Sequence, residues 1–131
     1  MTFLKEFTLD VRVRYQETDG QGRVHHANYL TYFEQARVEM LRHAGVLYGE
    51  LEASGRFLVV ADVHIQYYLP ARYDDLLQIH TTVTRARGAR MTHRYLVYRD
   101  AELVAEGETV IACTDHEGWV RRLPSFLQMD R

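Results

Sequence analysis

The 131-residue sequence is poor in proline, cysteine and lysine, and each scarcity excludes something. A single cysteine, Cys113, leaves no partner for an internal disulfide. It lies in the run Val110-Ile111-Ala112-Cys113, an apolar strand pattern, and reads as a small core residue. With only two prolines, Pro70 and Pro124, the chain shows no low-complexity tract, repeat or linker. No stretch approaches the roughly 20 apolar residues of a membrane-spanning helix. Residues Met1 to Asp10 carry charges and lack the apolar run of a secretory leader, so the expected location is cytoplasmic. Lys5 is the only lysine among 16 basic residues. Against 18 acidic residues the formal net charge is -2, too little positive charge for a dedicated binder of nucleic acid or an anionic membrane.

What is present fits one domain, residues 1–131, long enough to bury a core without metal or disulfide staples. Thr8 to Tyr15 alternates, with Leu9, Val11, Val13 and Tyr15 on one face, and predicts a half-buried strand. Gln16 to Ala27 is polar and contains glycine, as a loop does. A helix is expected from about Asn28, as N-cap, to Ala44, with Gly45 just past its end and Tyr29, Tyr32, Phe33, Ala36 and Met40 toward the core. A short second helix, Val46 to Ala53, follows. Strands are expected over Phe57–Leu69, Asp75–Arg85, Arg90–Arg99 and Leu103–Thr114, with a short strand at Trp119–Arg121 and a helical turn at Pro124–Met129. The class is α+β: a long helix packed on an antiparallel sheet of five or more strands. Its exposed edges would suit a second copy.

The segment Arg14 to Arg37 carries the chemistry. It joins a strand end, a loop containing Asp19, Gly20 and Gly22, and the start of the helix. A helix N-terminus offers unpaired N–H groups and partial positive charge, which can hold an oxyanion. A carboxylate beside such a site is a minimal apparatus for cleaving an acyl bond.

The run Tyr15-Gln16-Glu17-Thr18-Asp19-Gly20-Gln21-Gly22-Arg23-Val24-His25-His26-Ala27-Asn28-Tyr29 resembles the signature of the hotdog-fold thioesterases. The nearest branch is the 4-hydroxybenzoyl-CoA thioesterase family, including the Tol-Pal-associated acyl-CoA thioester hydrolases. Tyr67 to Leu77 is similar to that family's segment between the second and third strands. The resemblance implies a hotdog fold, hydrolysis of an acyl-CoA thioester without metal or organic cofactor, and a homodimer with sites at the subunit interface, paired again as a dimer of dimers. By position it makes Asp19 the nucleophile or the general base. It makes the His26 backbone N–H the donor that polarises the thioester carbonyl, with the His26 imidazole available for orientation. Gly22 would let the loop backbone approach substrate, Asn28 would contact it at the helix start, and Val60 would border the acyl chamber from the partner subunit. Arg87 and Arg90, with Arg85, flank Gly88 and are candidates for the CoA phosphates, or else form a solvated turn.

Other residues have plainer expectations. Glu17 reads as a loop-ordering or solvated residue and His25 as a loop or surface residue. His64, His80 and His93 are expected on the sheet facing solvent or an interface, and no histidine spacing matches a metal site. The catalytic pattern of a hotdog hydratase is absent. The non-enzymatic alternative is an acyl-thioester-binding or complex-associated protein. Acyl specificity, and CoA against acyl carrier protein as thiol carrier, are not legible.

Overall fold

The computed structural model describes residues 5–129. Alternating apolar residues build one antiparallel sheet from β1 (Glu6–Arg12), β2 (Phe57–Tyr67), β3 (Leu76–Arg87), β4 (Arg90–Arg99) and β5 (Glu102–Thr114), in the order β1-β3-β4-β5-β2. The inward positions of β3 and β4 recur every second residue: Leu77, Ile79, Thr81 and Val83 on one, Met91, His93, Tyr95 and Val97 on the other. Gly88, with φ 61°, makes the two-residue turn between them. The helix α1 (Asn28–His43) lies across this inner face and buries Tyr29, Tyr32, Phe33, Ala36 and Met40 against it. A short helix, α2 (Tyr48–Ala53), follows. This is the expected hotdog arrangement, α+β.

Close approach of helix and sheet depends on Gly107 of β5. A Cβ at that position would lie 2.6 Å from Cε2 of Phe33. Without one, the Phe33 ring lies over the strand and stacks on Tyr95, centroids 4.0 Å apart. Two apolar clusters result. One surrounds the N-terminal half of α1 and holds Tyr29, Tyr32 and Phe33; the other lies under its C-terminal half and holds Met40, Leu41, Met91 and Ile111.

Several expectations need correction. The first strand ends at Arg12, not Tyr15. Val13 bonds across to Asp75 and Asp74, the chain then turns through Tyr15–Glu17, and Tyr15 is exposed against Tyr73. Trp119–Arg121 contributes only an isolated bridge, Thr114 to Val120. The expected C-terminal helical turn is the shorter Ser125–Leu127, anchored by buried Leu127. His93 is not at the surface: it occupies an inward position of β4 and is 5% exposed.

Candidate active site

A buried carboxylate organises the loop between β1 and α1. Glu17 accepts from the Arg14 N–H at 2.9 Å, from Arg14 Nε at 3.0 Å and from the Tyr32 hydroxyl at 2.8 Å. Burial pushes its carboxyl up, but the donors from Arg14 and Tyr32 outweigh that and hold it below its ordinary value. The Glu17 carbonyl accepts from the His25 N–H at 2.9 Å and from Asn28 Nδ2 at 2.8 Å. Glu17 therefore clamps both ends of the segment that carries Asp19, which bears out the loop-ordering reading.

Within the clamp, Asp19 folds the chain around itself. Its Oδ1 accepts from the Gln21 N–H at 2.8 Å and, longer, from the Arg23 N–H at 3.4 Å. The Gln21 bond is the largest influence on its charge. Together with the Arg23 N–H and the nearby His25 and Arg23, it overcomes desolvation and holds the carboxyl below its usual value. Oδ2 has no protein partner among the described residues. Gly22 turns at φ 80°, which explains the glycine; a Cβ there would meet only Arg72, at 3.8 Å.

At the helix entrance, three of four successive N–H groups are taken. His25 donates to the Glu17 carbonyl, Ala27 to His25 Nδ1 at 3.1 Å, and Asn28 to the His25 carbonyl at 2.9 Å. The His26 N–H has no protein acceptor among the described residues. The His26 carbonyl is held by the Tyr67 hydroxyl at 3.0 Å. Asn28 is thus not the N-cap: it is the first helical residue, and its side chain reaches back to Glu17. His25, expected as a loop or surface residue, is exposed in the loop, and its Nδ1 accepts from the N–H of Ala27, the N-cap residue.

Asp19 and His26 open into one cleft of about 290 Å³, walled by Tyr29, Tyr67, Tyr68 and Leu69. Pro70 and Ala71 continue the wall, and Arg99 fixes the segment that follows by donating to the Pro70 carbonyl and to Asp75, both at 2.9 Å. Tyr29 is almost fully buried, its hydroxyl pushed up to about 12 by desolvation. Sequence reasoning did not single out Tyr67, although it lies in the quoted Tyr67–Leu77 segment; its ring packs edge-on against Tyr29 at 5.4 Å.

The other candidates lie elsewhere. Gly22, Asn28 and Val60 do not line the cleft. Val60 is half-exposed on β2, an edge of the sheet. Arg87 and Arg90 close the β3–β4 turn, whereas the cleft adjoins the opposite end of β3. At about 3.3 Å per residue, that strand separates them by roughly 40 Å. Within one chain these arginines and the cleft do not meet.

The sequence model of the thioesterase-like superfamily matches residues 13–129. The acyl-CoA thioester hydrolase YbgC of Escherichia coli O6:H1 is 39% identical over 110 residues, covering 83% of this chain and 82% of that protein. The acyl-CoA thioesterase YbgC of Haemophilus influenzae is 36% identical over 110 residues, 83% of this chain and 81% of its own length. The solved structure of a DHNA-CoA thioesterase from Staphylococcus aureus superposes with a TM-score of 0.86 at 28% identity, covering 90% of this chain and 80% of that one.

Proposed function

The chain belongs to the thioesterase-like superfamily, and we propose that it hydrolyses acyl-CoA thioesters at the Asp19 cleft. One observation carries the site: His26, whose N–H has no acceptor among the described residues, lines the same cleft as the ionised Asp19. The thioester carbonyl oxygen accepts from the His26 N–H, and the helix dipole adds to its polarisation. Oδ1 is committed to the loop, so Oδ2 of Asp19 acts. As general base it takes a proton from water, whose oxygen bonds to the carbonyl carbon. The C–S bond then breaks, and the CoA thiolate leaves and takes up the proton. As nucleophile, Oδ2 itself bonds to the carbonyl carbon and expels the thiolate, and water opens the resulting anhydride to the free acid. Neither route needs a metal or an organic cofactor. The depressed charge equilibrium of Asp19 serves both by keeping the carboxylate ionised at neutral pH.

The enzyme acts as a homodimer joined at β2, and the dimer can pair again. Val59, Val60, Val63 and Tyr67 form an exposed apolar stripe on that edge, the kind of surface a second strand covers. A two-fold axis across β2 brings the start of one copy's β2 beside the end of the other's. The register Val59 to Ala112 to Arg90 then carries the second copy's hairpin arginines toward the CoA end of this cleft. In analytical ultracentrifugation the native chain sediments as a dimer or larger and Val60→Lys shifts it toward monomer; a monomeric native chain rejects this part.

Free-thiol release from a panel of acyl-CoAs tests the activity, with native protein and Asp19→Asn assayed in parallel. Release by the native protein, reduced about 10²- to 10⁴-fold in the folded variant, is the expected result. Saturable binding of acyl-CoA with no release by either protein would instead make this an acyl-thioester-binding protein.

A further inference from the structure

A second cavity lies under the C-terminal half of α1 and shares no residue with the Asp19 cleft. Arg37 forms part of its wall. The residue as a whole is 8% exposed, yet it is in no ion pair with a carboxylate of the described residues. Its one acceptor among the described residues is the Tyr95 hydroxyl, at 2.9 Å from Nη1, itself 2.6 Å from Thr109 Oγ1. Glu34 and Glu52 come close enough to influence Tyr48 at the cavity wall, but neither pairs with Arg37. Buried charges are ordinarily paired, and a guanidinium has five N–H donors to satisfy. The same cavity is lined by His93, 5% exposed, whose Nδ1 has no partner among the described residues. Desolvation, with the Arg37 charge adding to it, lowers His93 to about 3. At neutral pH its ring is therefore uncharged, with one N–H to donate. The remaining walls are apolar, chiefly Met40, Met91 and Ile111.

We infer that this cavity binds a short-chain monocarboxylate, with its carboxylate on Arg37, a hydrogen bond from His93, and its alkyl part against Met40, Met91 and Ile111. A carboxylate supplies the missing negative charge and matches the planar fork of the guanidinium. Water would leave the charge unpaired. Chloride would pair with Arg37 but gains nothing from the apolar walls. The freely open part of the cavity is about 20 Å³, about the room of one water. That is too little for a carboxylic acid as the walls stand, so entry of even a few carbons requires movement of Met40 and Met91, the most adaptable of the walls.

The test is thermal melting of the full chain in sodium propionate or butyrate, compared with sodium chloride at equal ionic strength and with butyramide, the uncharged analogue. Propionate and butyrate should raise the melting temperature saturably, while butyramide and chloride should not. Arg37→Met should weaken the effect at least tenfold in concentration, and Asp19→Asn should retain it. Should Arg37→Met not fold, Arg37→Lys takes its place, since it keeps the charge and loses the fork. Crystals soaked in 3-bromopropionate should show anomalous bromine density between Arg37 and Met91. An equal response to chloride would mean an unselective anion site, and an equal response to butyramide an apolar slot. Loss of the effect in Asp19→Asn, or bromine density in the Asp19 cleft, would assign the ligand to the cleft. Each of these overturns the inference, and none depends on turnover.

Discussion

The two halves of α1 cover polar atoms in opposite ways. Under its first half, the Glu17 carboxylate is as buried as Arg37, but it has three donors, while Asp19 Oδ2 and the His26 N–H are left without a partner among the described residues. Under its second half, Arg37 has one acceptor among the described residues, and the buried His93 Nδ1 has none. The difference separates two uses of a polar group. A fully satisfied network fixes geometry, so the few atoms it leaves free are aimed where a reaction needs them. An unsatisfied one stores the cost of desolvation, which a ligand of the right charge relieves.

The comparison predicts that changes in the loop alter chemistry and changes inside alter stability. The largest effect is the loss of turnover in Asp19→Asn. Because Asp19 is exposed enough to tolerate an amide, the melting temperature should stay within about 2 °C, roughly the size of a surface substitution. A large drop in melting temperature would make Asp19 a structural turn residue first.

The next effect is a pH dependence from inside. His93 has a folded value of about 3 against an ordinary 6.5, so it takes up a proton on unfolding throughout that window. Stability rises with pH wherever the unfolded chain binds more protons. It should therefore be fully present above about pH 6.5 and decline as the pH falls toward 3, with a slope of up to about 1.4 kcal/mol per pH unit from this group. Denaturant unfolding from pH 7.5 to 4 should show a shallower decline in His93→Leu; identical slopes would mean that His93 is not held neutral.

The smallest expected effect links the regions. Tyr32→Phe removes one of three donors to the buried Glu17 carboxylate and should cost about 1–3 kcal/mol by denaturant unfolding. Since Glu17 clamps the Asp19 loop, turnover should fall as well. A loss of stability with unchanged turnover would show that Arg14 alone keeps the loop in register.

Much of this arrangement was legible in order along the chain. Four of the five strands were marked to within about two residues, β3 by its alternation and the others by β-rich composition and turn residues, and the Asp19-to-helix segment pointed to the candidate cleft. The hub was not legible as such, because the role of Glu17 depends on Tyr32, fifteen residues away, and on Arg14 folding back. Asn28 has the chemistry of an N-cap, but its amide is drawn back to the Glu17 carbonyl, and Ala27 takes the N-cap position without a capping side chain. Burial of His93 was readable: it shares the alternation of Met91, Tyr95 and Val97, and polarity alone argued against it. The separation of Arg87 and Arg90 from Asp19 follows from strand length, which local motifs do not convey.

The helix entrance has a further consequence in time. Amide protons held by an acceptor exchange slowly with deuterated solvent, whereas an open one exchanges at once. The amides of His25, Ala27 and Asn28 are closed and that of His26 is open. Between His25 and Asn28 the site therefore announces itself as a fast amide among slow neighbours, and a bound substrate would be read as the moment that proton stops exchanging.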